Sequence, residues 1–134
     1  MVDTFLTNES KEYPFPSTPE KNGYRLFPDD MENDGHIFFH GTAEKNLVSI
    51  LNNGFRISGN LQSVSFARES SLSLRYACEA RDNSSPQGAV IAVRYACLNK
   101  PYIGQEGFGL YVYDLNVQPQ IVGYCLVPAN YVFR

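Results

Sequence analysis

The chain has 134 residues, enough for one domain with a real core and too few for two. Hydrophobic residues make up 43% and charged residues 19%, and no apolar run approaches the ~18 residues of a membrane span, so the expected class is soluble and globular, with no membrane partner. A net charge of -3 without any block of Lys or Arg gives no electrostatic footprint for sequence-independent nucleic-acid binding. Cys78, Cys97 and Cys125 are far apart and lack metal-ligand spacing. They read as reduced, buried thiols of a cytoplasmic protein, with no metal role.

Residues 1–34 hold Pro14, Pro16, Pro19 and Pro28 among polar and acidic residues, the composition of a Pro-rich arm ahead of a domain over 35–134. Met1 to Lys11 has no apolar core of the kind a secretory signal needs. Phe5, Tyr13, Phe15, Tyr24 and Phe27 need apolar surface to cover, which predicts that the arm packs on the domain through Tyr24 to Phe27. Asp29 to Asp34 reads as a solvated acidic loop.

The domain opens with His36 to His40, a short apolar run bounded by turn residues and therefore a core strand. Gly41 and Thr42 then form a corner, and Leu47, Val48, Ile50 and Leu51 set a helical period over Ala43 to Asn53, with Thr42 as N-cap and Gly54 as stop. Phe55 to Ile57 is a short strand, residues 58–62 a loop, and Ser63 to Ala67 a strand. Glu69 to Ala80 is a helix, and 81–88 a loop. Ala89 to Tyr95, Leu110 to Tyr113 and Ile121 to Val127 are β-branched or aromatic runs. This order predicts an α+β domain with a mostly antiparallel sheet, or two packed sheets. His40 falls at a strand end beside a helix start, where the free N–H groups of Gly41 and Thr42 can hold polar ligand atoms. Read alone, the same residues equally suit a histidine that closes a strand and a glycine that makes a turn.

His40-Gly41-Thr42, followed by an amphipathic helix and Gly54-Phe55-Arg56-Ile57, resembles the opening motif of the poly(ADP-ribose) polymerase-like, diphtheria-toxin-type ADP-ribosyltransferases. Ser65 to Tyr76, SFARESSLSLRY, resembles that family's Tyr-Phe-Ala-Asp-x-x-Ser-x-Ser-x-x-Tyr signature, in order and without a gap. The resemblance implies a split, mostly antiparallel sheet with flanking helices and NAD as co-substrate. It implies that His40 binds the adenosine ribose, that the Gly41 backbone binds the nicotinamide carboxamide, and that Ser73 and Tyr76 bind and stack on nicotinamide. Arg56 falls near the adenosine-phosphate half.

Three departures accompany the match. Ser65 replaces a stacking tyrosine, within a Ser63-Val64-Ser65 run that resembles the Ser-x-Ser strand of toxin-type members. The loop between Arg56 and Ser65 is short. Gly109 to Asp114 resembles the family's Glu-Tyr-x-Val-Tyr-Asp strand, yet Gly109, or Leu110 with a one-residue shift, stands in the place of the catalytic glutamate. Glu106, in a stretch made pliable by Gly107 and Gly109, is the candidate replacement. The catalytic candidates are therefore His40 and Glu106, and the NAD-binding candidates His40, Gly41, Thr42, Arg56, Ser65, Ser73 and Tyr76. The resemblance implies a minimal, monomeric mono-ADP-ribosyltransferase, acting in its own cytoplasm or in that of a host cell as an effector. Its acceptor is a macromolecule, a protein before a nucleic acid. The alternative is an inactive relative that binds NAD, ADP-ribose or a protein.

Overall fold

The computed structural model describes residues 11–57, 59 and 61–133; residues 1–10, Phe5 among them, and Ser58 and Asn60 of the predicted loop lie outside the described residues. The strands are β1 (Glu12–Tyr13), β2 (Ile37–Ala43), β3 (Val64–Ala67), β4 (Gly88–Arg94), β5 (Ile103–Glu106), β6 (Gly109–Val112) and β7 (Gln120–Val127). The α-helices are α1 (Asp29–Glu32), α2 (Leu47–Asn53) and α3 (Ser70–Ala80). All seven strands join one sheet in the order β1-β7-β4-β2-β3-β6-β5. Every neighbouring pair is antiparallel except β1 with β7. The fold is the expected α+β class with a mostly antiparallel sheet.

Successive strand side chains point to opposite faces, and the two faces carry separate apolar layers. Ile37 and Phe39 of β2 join Val90 and Ala92 of β4 beneath α3, with Leu74 and Ala77 of the helix and Leu26, Phe27 and Met31 of the N-terminal segment. Phe38 joins Ala89, Ile91 and Val93 on the other face, against Leu47 of α2, Phe55, Phe66 and Leu110. β4 is buried on both faces, which explains its unbroken apolar sequence. Two glycines let α3 lie this close. A Cβ at Gly88 would stand 2.5 Å from the Ala77 carbonyl oxygen, and one at Gly41 would meet the Ser73 carbonyl and stand 2.9 Å from the Ala77 nitrogen.

The N-terminal segment is built into the fold. Tyr13 packs edge-on to Phe27 at 5.3 Å, and Phe27 stacks on Phe39 at 5.3 Å. Phe15 meets Tyr131 at 4.9 Å and Tyr24 meets Phe133 at 5.1 Å, so this segment and the C-terminal tail cover each other. The acidic stretch is a helical turn, α1, rather than a solvated loop, because its residues have internal partners. Met31 is buried. Glu32 Oε2 accepts from the Leu26 and Phe27 nitrogens at 3.2 and 3.1 Å and from Ser70 Oγ at 2.5 Å, tying the segment to the start of α3.

Several local expectations are corrected. β2 runs straight through Gly41 and Thr42, because β4 pairs with it as far as Ala43 opposite Gly88. The predicted corner is absent, and the helix starts later, through a 3-10 turn at Glu44–Asn46. Thr42 is thus a strand residue and no N-cap. Phe55 to Ile57 is not a strand: the Gln118 side chain takes the partner's place, accepting from the Phe55 nitrogen and donating to its carbonyl, each at 2.8 Å. Gly54, at φ +83°, makes the turn that admits this amide, with a hypothetical Cβ 2.6 Å from Gln118 Oε1. The stretch around Glu106 is strand β5, and Gly107, at φ +56°, turns the hairpin into β6. Cys125 is buried and Cys78 half-buried, but Cys97 is exposed.

Candidate active site

The sheet is nearly divided between β2 and β3, which share a single pair, Phe39 with Ala67. In continued register Gly41 would pair with Ser65; instead the His40 side chain bridges the gap, its Nδ1 lying 2.9 Å from the Ser65 carbonyl oxygen. A carbonyl only accepts, so Nδ1 carries the proton and Nε2 of the neutral ring is left as an acceptor. The ring packs edge-on to Phe55 at 5.2 Å and tilted against Phe66 at 5.6 Å. Burial holds its pKa below the usual 6.5, against the opposing pull of the Ser65 hydrogen bond.

The same gap exposes backbone. The β2–β4 ladder is bracketed by bonds from the Tyr95 nitrogen to the His36 carbonyl and from the Glu44 nitrogen to the Gln87 carbonyl, each 3.0 Å. Antiparallel ladders bond to one neighbour at every second residue, so even-numbered residues of β2 face β4. Gly41 therefore directs its N–H and C=O away from β4, into the gap. These groups belong to a strand edge, not to the helix N-terminus that the sequence suggests.

Two cavities, of about 460 and 520 Å³, meet here. The first is walled by Gly41, Ser73, Tyr76, Glu106, Phe108 and Gly109. The second is walled by Thr42, Asn46, Phe55, Arg56 and Leu61. His40, Ser65 and Tyr111 line both. All eight residues singled out in the sequence thus border one or both of these two adjoining cavities, in differing states. Ser73 is buried on α3 and Tyr76 is 52% exposed. Thr42 Oγ1 already accepts from Asn46 Nδ2 at 2.9 Å, while Arg56 and Ser65 are exposed.

The β5–β6 hairpin closes the first cavity. Leu110 is fully buried in the core and Gly109 borders the cavity, so of the two alternatives for the glutamate position only Gly109 lines it. Glu106 is directly opposite Gly109 across the hairpin. Residues so paired share a face, and Glu106 borders the cavity beside the empty place. Sequence reasoning missed Phe108, 69% exposed at the hairpin tip, and Tyr111. Period-two alternation from Gly109 would have placed Tyr111 on the cavity face; Phe108 gave no such signal, because a turn has no periodicity.

The poly(ADP-ribose) polymerase catalytic domain family matches residues 17–93, more than half of the chain. The chain belongs to the poly(ADP-ribose) polymerase-like ADP-ribosyltransferase superfamily. Catalytic domains of this superfamily use NAD as a substrate. The matched residues include His40, Gly41, Ser73 and Tyr76 and end before the β5–β6 hairpin, so the departures of this ADP-ribosyltransferase-like chain at 106–111 lie beyond them. No curated protein matches the chain.

Proposed function

We propose that the chain is a mono-ADP-ribosyltransferase, which moves one ADP-ribose from NAD to a protein acceptor. The observation that carries this reading is the pair of cavities joined at His40, a layout suited to a two-ended ligand. The outward N–H and C=O of Gly41 complement the C=O and NH₂ of the nicotinamide carboxamide. Tyr76 and Phe108 offer aromatic surface to its ring, Phe108 standing in for the ring lost at Ser65. His40 Nε2 accepts a hydroxyl of the adenosine ribose, and Arg56, at the rim of the second cavity, is a cation for the phosphate side. Thr42 contributes wall to the adenosine side, its hydroxyl being engaged by Asn46.

Transfer breaks the bond between ribose C1 and the nicotinamide nitrogen, and the electron pair leaves with nicotinamide. A lone pair of the acceptor forms the new bond at C1, and the acceptor's proton passes to the Glu106 carboxylate. Fixing both ends of NAD and setting a carboxylate beside the developing positive charge are the protein's contributions. Gly109 offers no carboxylate of its own, and in the superfamily that group supports chain elongation; this favours single-unit transfer. The chain's net charge of -3 favours a protein over a nucleic acid as acceptor. The same glycine is the observation favouring a second reading, an inactive relative that retains NAD or ADP-ribose binding.

Calorimetric titration with NAD tests the shared core of both readings. His40→Ala is expected to weaken binding at least tenfold, about 1.4 kcal/mol. Unchanged affinity in that variant would remove NAD from this cleft.

A further inference from the structure

Gly109 has no positive φ, so the backbone does not require a glycine there. Space requires it. A Cβ at position 109 would stand 3.0 Å from the Tyr111 hydroxyl and 3.1 Å from Cε2 and Cζ of its ring. Tyr111, two residues on and on the same face of β6, leans back along the strand and covers its glycine. Its neighbours leave room for this: Tyr111 is paired with Ser65 on one side and Gly104 on the other, both small. The half-buried ring borders both cavities, at their junction with His40.

We propose that Tyr111 is a substrate-contact residue, its phenolic hydroxyl hydrogen-bonding the nicotinamide-side ribose from the place where a side chain at position 109 would begin. This rests on the reading of the cleft as an NAD site. The missing carboxylate is then a replacement by a neighbouring residue rather than a simple loss. Tyr111 and Gly109 act as a unit, since even a Cβ at 109 presses on the ring and must shift it by a few tenths of an ångström. A phenol donates as well as accepts and carries no charge, so it orients a ribose hydroxyl without serving as the negative partner of the cationic sugar. That task falls to Glu106, across the hairpin from Gly109.

The test is calorimetric binding of NAD and of free nicotinamide to the full chain and to Tyr111→Phe, Gly109→Ala, the double variant and His40→Ala. Tyr111→Phe keeps the ring and is expected to weaken NAD three- to tenfold while leaving nicotinamide affinity and the melting temperature unchanged. Gly109→Ala is expected to weaken NAD by pushing the ring aside, with little further loss in the double variant because both changes remove one contact. If His40→Ala weakens NAD and Tyr111→Phe does not, the Tyr111 proposal fails and the cleft reading stands. If Tyr111→Phe weakens nicotinamide in parallel with NAD, the ribose assignment fails. If neither His40→Ala nor Tyr111→Phe alters NAD affinity, the cleft reading fails and takes the Tyr111 proposal with it.

Discussion

The two walls of the first cavity differ in kind. The wall made by β2 and α3 carries His40, Gly41, Ser73 and Tyr76, lies within the residues matched by the superfamily, and is fixed by buried packing. The opposite wall, the β5–β6 hairpin, lies outside that match, exposes Glu106 and Phe108, and has Gly109 where the resembled motif has a glutamate. On the proposed reading, binding geometry is held by scaffold, whereas the catalytic charge sits near the tip of a hairpin where Glu106 and Phe108 are exposed. A wall built from backbone and helix contact cannot change without loss of fold; a hairpin tip can exchange residues and leave the fold intact.

That contrast predicts unequal costs. Gly41→Val should be the most damaging single change, because its side chain would collide with the Ser73 carbonyl and the Ala77 nitrogen. A loss of about 3 kcal/mol or more, read by chemical denaturation, is expected. A stable variant would mean that the helix is not held against this strand. On the hairpin, Glu106→Gln should leave stability and NAD affinity nearly intact and lower transfer about a hundredfold, about 2.7 kcal/mol of transition-state stabilisation. Equal loss of affinity and rate would make Glu106 a binding residue; no loss of either would make it a solvated hairpin carboxylate.

How much of this was legible in the sequence follows the same division. The buried elements, α3 and strands β4, β6 and β7, were readable within a residue or so at their ends, because burial sets a helical period in α3 and apolar or β-branched runs in the strands. β1 and β5 were not, since Glu12–Tyr13 and Ile103–Glu106 are short edge strands without an apolar alternation. The end of β2 was misread because Gly41 looks like a turn residue. Its glycine is required by the close approach of α3, a tertiary contact that no local pattern encodes. Phe55 misled for a similar reason: its partner, the Gln118 amide, is 63 residues away. The candidate residues on the scaffold wall came from motifs. Tyr111 did not, because where its ring leans is set by its tertiary neighbours.

The smallest predicted effect concerns pH. The His40 imidazole titrates below 6.5 when folded and near 6.5 when unfolded, so between those values the unfolded chain binds more protons. Its contribution to stability is complete above about 6.5 and falls as the pH drops below it, towards the folded value. NAD binding through the neutral ring should persist further into acid than an ordinary histidine would allow. Asp34 and Asp82, held down chiefly by hydrogen bonds from the His36 backbone and the Ser84 side chain, lose their contributions only below 3.8. A His40→Gln variant should therefore flatten the stability curve just below 6.5 and leave the lower limb unchanged. An unchanged slope in that window would contradict a neutral, buried His40.

The most direct test of the account is to incubate the purified full chain with isotopically labelled NAD in a cell lysate and to weigh the labelled products by mass spectrometry. The account predicts single ADP-ribose increments on protein, sharply reduced by Glu106→Gln and by His40→Ala. NAD that binds yet labels no acceptor, or label found in polymer or on nucleic acid, would contradict it.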